Sequence, residues 1–92
     1  MTRAKRTDDN QQEIIDGLRK IGADVQDLSG VGEGCPDLLV SFRNVLYLIE
    51  IKNPETHGKL NKCQIEWHNQ WFGDVYTCWT LEEALQVIGA IE

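Results

Sequence analysis

No stretch of this chain is apolar over the roughly 20 residues that a helix needs to cross a bilayer. Its first residues, Met1 to Thr7, are polar and basic and lack the apolar core of a secretory signal, so a cytoplasmic location and no membrane partner are expected. No Cys-x-x-Cys pair occurs. Cys35, Cys63 and Cys78 are odd in number and widely spaced, which argues against both a disulfide framework and a zinc knuckle. His57 and His68 offer metal-ligand chemistry beside Cys63, but ordinary buried or surface thiols are the better reading. Internal repeats and low-complexity segments are missing as well. So is a surplus of positive charge: 9 Lys and Arg stand against 15 Asp and Glu, a formal net charge of −6. That balance, taken alone, opposes a phosphate-rich partner.

What is present is the content of one small globular domain. Ninety-two residues lie near the lower end of what folds unaided, so a homodimer that covers more apolar surface is expected. The few cations are also grouped: Arg3, Lys5 and Arg6 near the start, and Lys52, Lys59 and Lys62 in the middle. Several acids, among them Asp8, Asp9, Glu82 and Glu83, fall at expected element ends. If Asp37, Glu50 and Glu13 converge on a divalent cation, the bound metal offsets part of the remaining negative field.

Residues 1–7 read as a flexible basic arm and 8–92 as a single domain. Asp8 or Asp9 caps an expected helix to about Ile21, whose Ile14, Ile15, Leu18 and Ile21 repeat at helical spacing before Gly22 ends it. Val25 to Leu28 is a short strand. Ser29 to Pro36 is rich in turn residues. Two strands follow, Asp37 to Phe42 and Val45 to Lys52, joined by a tight turn at Arg43-Asn44. The second is apolar on both faces from Val45 to Ile49, as suits a central strand with helices on each side, and Asn53-Pro54 stops it. After a polar loop, a helix is expected from Leu60 to Phe72, then a strand from Val75 to Trp79. A last helix to about Ile88 opens on the capping-box pattern Thr80-Leu81-Glu82-Glu83. The order is α-β-β-β-α-β-α, an α/β fold. Trp67, Trp71 and Trp79 are expected in the core or at a dimer interface.

One constellation in this plan carries chemistry. Glu50 and Lys52 alternate with Ile49 and Ile51, so they share one face of their strand. The hairpin returns that strand end to the start of its neighbour, where Asp37 stands. Two carboxylates and an ammonium therefore meet at one end of the sheet. A Pro-Asp turn or a Glu-x-Lys triplet alone is commonplace. Here the triplet follows five apolar residues, where charge is costly unless paired or bound to metal. Carboxylates bind a hard divalent cation, with the Ile51 carbonyl as a further ligand. The cation neutralises phosphate and activates water, and lysine stabilises the charge gathering on phosphorus. The glycines of Gly30-Val31-Gly32-Glu33-Gly34 do not form a nucleotide-binding loop, because no Lys-Ser/Thr and no helix follow. They read as positions of positive φ or of close approach to DNA.

Gly34-Cys35-Pro36-Asp37-Leu38-Leu39-Val40, Tyr47-Leu48-Ile49-Glu50-Ile51-Lys52 and Lys59-Leu60-Asn61-Lys62-Cys63-Gln64-Ile65-Glu66-Trp67 together resemble the VRR-NUC branch of the PD-(D/E)XK nuclease superfamily, over roughly residues 8 to 85. The brevity is similar to that of stand-alone phage members. The resemblance implies a restriction-endonuclease-like mixed β-sheet flanked by helices. It implies metal ligation by Asp37, Glu50, the Ile51 carbonyl and Glu13 on the first helix. It also implies a catalytic Lys52, and Gln64 packed beside that lysine to place it or the water. Mg²⁺ or Mn²⁺ is the implied cofactor, DNA (branched or duplex) the partner and a homodimer the assembly. The residues themselves offer His57, Lys59 and Lys62 as contacts to the DNA backbone, with a plain loop at His57-Gly58-Lys59 an equal alternative. The expected activity is structure-selective DNA cleavage, with the four-way Holliday junction favoured. A general nicking or flap nuclease and a non-catalytic nucleic-acid-binding or dimerisation module are the alternatives.

Overall fold

The computed structural model describes residues 9–52 and 59–92. The basic arm, the Asp8 cap, the Asn53-Pro54 stop, most of the polar loop and His57 fall outside the described residues. Seven elements follow in the expected order: α1 (Asp9–Lys20), β1 (Asp24–Asp27), β2 (Leu38–Phe42), β3 (Val45–Ile51), α2 (Lys62–Gln70), β4 (Tyr76–Cys78) and α3 (Leu81–Val87). The four strands form one mixed sheet in sequential order, with β1, β2 and β3 antiparallel and β4 added parallel to β3.

Helix α1 forms because its apolar residues fall on one stripe. Ile14, Ile15 and Leu18 are all buried, together with Gln11, while Arg19 and Lys20 sit in the last turn where the helix dipole favours cations. Ile21, expected on that stripe, lies beyond the helix and is exposed. Helix α3 packs beside α1 at Gly17, where a Cβ would stand 2.3 Å from Leu81 Cδ2. A larger residue there displaces the Leu81 side chain.

Helices α1 and α3 cover the sheet face that carries Leu38, Val40, Ile49 and Ile51, and these side chains with Cys78, Ala84 and Ile88 make the core. The Arg43-Asn44 turn has φ of 54° and 68°, the pair of left-handed residues that a two-residue hairpin of matching twist requires. It sets the register Leu38 opposite Ile49 and Phe42 opposite Val45.

The expectation that β3 is covered on both faces holds only at one end. Val45 and Leu46 are exposed and Leu48 half-buried, because α2 crosses the second face near Glu50 and leaves the hairpin end open. Helix α2 is also shorter than expected. Asn61 caps it rather than Leu60 opening it, in a reciprocal box with Gln64 that its sequence Asn61-x-x-Gln64 encodes. The box expected at α3 is half formed. Thr80 accepts from the Glu83 backbone N–H, but the Glu83 carboxylate takes the N–H of Trp79 instead of that of Thr80. None of the three tryptophans is fully buried: Trp67 is half-buried and stacks on exposed Trp71, their ring centroids 4.5 Å apart, and Trp79 is exposed.

Candidate active site

Strand β2 ends its ladder at Leu38, one residue short of the site. Asp37 takes over the hydrogen bonding there: its Oδ2 accepts from the Ile51 backbone N–H at 2.7 Å, while its own carbonyl accepts from Leu28 N–H at 2.7 Å. The carboxylate is thus held across the end of the sheet, beside the strand end that carries Glu50. N–H and C=O of one residue in an extended strand point to the same side, so the Ile51 carbonyl leaves β3 on the Asp37 side.

Glu50 is 2% exposed and lies on the face opposite Ile49 and Ile51. Burial, then the charge of Asp37 and a hydrogen bond with it, push its carboxyl from the ordinary 4.5 up to about 9. The two acids therefore share a proton near neutral pH when no cation is present. The same field reaches Cys35, whose thiol is pushed up by burial first and then by Glu50 and Asp37, which keeps it protonated and poorly nucleophilic.

Gln64 reaches Glu50 from α2. Its Nε2 donates to Glu50 Oε2 at 2.8 Å, while its Oε1 accepts from the Asn61 N–H at 2.8 Å. Both ends of the amide are committed, so the capping box of α2 also aims a donor at the acid. The loop before Asp37 presses on the same helix start: Gly34 has φ +84°, and a Cβ on it would lie 2.2 Å from the Cys63 carbonyl oxygen. Only glycine permits that approach, and with it the seating of α2 over Glu50.

Lys52 follows the last residue of β3 and is half-buried. Its backbone N–H donates to the Cys78 carbonyl at 2.8 Å, and its ammonium lies over the Trp79 ring, 5.8 Å from the centroid. Asn10, a residue with no periodic signal, ties α1 to this strand end through the carbonyls of Lys52 and Trp79 at 3.2 and 3.3 Å.

Glu13 does not join the acids. It is exposed, roughly 150° round the helix from the buried stripe of Gln11, Ile14, Ile15 and Leu18. Among the described residues no three His, Cys, Asp or Glu side chains converge in a metal-holding group, so the acids of the site are two. Cys63, exposed on α2, stands in no such group either. Lys59 and Lys62 are exposed at the approach to α2.

The geometry fits a divalent cation on two grounds. A proton shared between half-buried Asp37 and buried Glu50 occupies the place that a cation takes with better charge balance. Glu50 Oε1 is also a buried acceptor with no hydrogen-bond partner.

No family model and no curated protein matches the sequence. In fold the chain is similar to a solved structure described as a VRR_NUC domain, with a TM-score of 0.66 and 25% sequence identity over 89% of this chain and 92% of that one. Strand order, helix placement and this near-complete overlap give the chain the fold of a VRR-NUC domain and support its assignment to that family.

Proposed function

We propose that the chain hydrolyses phosphodiester bonds in DNA as a Mg²⁺- or Mn²⁺-dependent endonuclease, with the four-way junction as its favoured substrate. The coupled pair of half-buried Asp37 and buried Glu50 carries this reading, since two acids that cannot both ionise without a counter-charge are suited to a divalent cation. Asp37, Glu50 and the Ile51 carbonyl would hold it. When bound, the cation supplies charge to a phosphate oxygen and lowers the pKa of a coordinated water.

The chain's own side chains then have distinct tasks. Gln64 fixes the Glu50 carboxylate through Oε2 and leaves Oε1 free for ligation. The Lys52 stem is flexible enough to carry its ammonium from the Trp79 ring to the phosphate or the attacking water. Lys59 and Lys62, exposed at the approach to α2, contribute phosphate contacts, with His57 a further candidate from the sequence, which counters the net charge of −6 locally.

The reading extends to a homodimer of the stand-alone phage type, acting in the cytoplasm. Leu46 is 68% exposed, and with Leu39, Leu48 and Trp71 it lines an open apolar groove on the sheet face that α2 leaves bare. Two copies related by a two-fold axis would offer two sites to the two cut strands of a junction. Among the described residues no helix is long and apolar enough to cross a membrane.

The test is cleavage of labelled four-way junction, linear duplex and flap DNA in Mg²⁺ and in Mn²⁺, by wild type and Lys52→Ala. Junction cutting by wild type at least tenfold above the other substrates is expected, with loss of cutting but retained binding in Lys52→Ala. Equal cutting of all three substrates removes the junction preference. Unchanged cutting by Lys52→Ala removes the catalytic lysine.

A further inference from the structure

Gln64 and His68 are four residues apart on α2, so both project from the same side of the helix toward β3. Gln64 takes one oxygen of Glu50. His68 faces the other: its Nε2 lies 3.9 Å from Glu50 Oε1. Both atoms are buried, and neither has a hydrogen-bond partner. A separation of 3.9 Å is too long for a direct hydrogen bond.

Metal–ligand bonds are shorter than hydrogen bonds, about 2.0–2.2 Å to nitrogen or oxygen. A cation bound to both atoms therefore sets them between about 3 Å apart, for neighbouring ligands, and about 4.2 Å, for opposite ones. The observed gap falls inside that window. The Trp67 and His68 rings meet edge to face, with centroids 6.1 Å apart and an interplanar angle of 71°.

We propose that His68 is a metal ligand, its Nε2 and Glu50 Oε1 holding a divalent first-row transition ion between β3 and α2. The inference rests on the metal-nuclease reading and sharpens it, since it names a ligand chemistry rather than an activity. Imidazole suits Fe²⁺, Ni²⁺ and Zn²⁺ best, and Mn²⁺ accepts it more readily than Mg²⁺, which prefers oxygen alone. The site is thereby biased toward transition ions, with water and substrate oxygens completing the shell. Binding also fastens α2, which buries no residue of its own, to the central strand.

The experiment is pulsed electron paramagnetic resonance of Mn²⁺ bound to the full chain, with titrations of Mn²⁺ and Mg²⁺ on wild type, His57→Ala and His68→Asn. Expected are a nitrogen coupling to Mn²⁺ in wild type and His57→Ala that disappears in His68→Asn, and a 10- to 100-fold loss of Mn²⁺ affinity with less than a threefold change for Mg²⁺. Bound Mn²⁺ without nitrogen coupling in wild type overturns the proposal, whether or not the His68 variant folds. A coupling lost in His57→Ala and kept in His68→Asn overturns it too. Mg²⁺-dependent cleavage accompanied by either result leaves the nuclease reading standing. Absence of any divalent binding to wild type, with no cleavage, ends both.

Discussion

Replacing Glu50 by glutamine should make the protein more stable at alkaline pH, although the residue lies at the centre of the site. The folded, metal-free form holds a proton on Glu50 up to about 9, while an unfolded chain releases it near 4.5. Stability from this group is therefore complete below the lower value and is lost as pH rises toward the upper one. Each pH unit inside that window is worth about 1.4 kcal/mol for one proton. Between about pH 5.5 and about pH 8 the wild type should thus lose on the order of 3 kcal/mol, an upper bound because the two acids titrate together. Glu50→Gln has no proton to lose, retains a carbonyl for Gln64 Nε2, and should show no such slope. Urea denaturation of both proteins in chelator across that range isolates the coupled Asp37–Glu50 pair, since titrating groups away from it cancel. Mn²⁺ at about 100 times its Kd should then restore about 2.7 kcal/mol to the wild type and little to the variant. Parallel stability curves for the two proteins would refute the argument that Glu50 is buried as a protonated acid waiting for a cation.

Two further substitutions address how the site is held. Gly34→Ala places a Cβ 2.2 Å from the Cys63 carbonyl at a φ of +84°, so a loss of about 1–3 kcal/mol in thermal or urea unfolding is expected, together with weaker Mn²⁺ binding as α2 shifts. Gln64→Ala removes the donor to Glu50 and half the capping box, for about 1–2 kcal/mol in unfolding. Gln64→Glu keeps an acceptor for the Asn61 N–H but sets a third carboxylate against Glu50. It should therefore depress cleavage at least as strongly as Gln64→Ala while protecting the helix start better, as amide hydrogen exchange would read.

Much of this molecule is legible in its residue order. Alternation in Val45–Ile51 and the helical spacing of Ile14, Ile15 and Leu18 are local patterns, and they fix which faces are apolar. Arg43-Asn44 then returns β3 alongside β2, so that Asp37 and Glu50 come to one end of the sheet by pairing register alone. The sequence could not show which polar residues face inward from helices, because that depends on how each helix is rotated and docked. Glu13, one helical turn from the site, points to solvent, while Asn10 binds the carbonyls of Lys52 and Trp79. The capping box Asn61-x-x-Gln64 was readable as a helix start, but not that the same amide would hold Glu50.

Sequence by itself therefore determined the elements, the hairpin and the meeting of the two acids, since each follows from a period or a turn within a few residues. Tertiary structure alone decided that α2 lies over Glu50, that Gly34 lets it approach, and that His68 faces the remaining oxygen. Contacts between segments distant in the chain leave no local pattern, and burial, which sets the charge state of Glu50, exists only once those segments have packed.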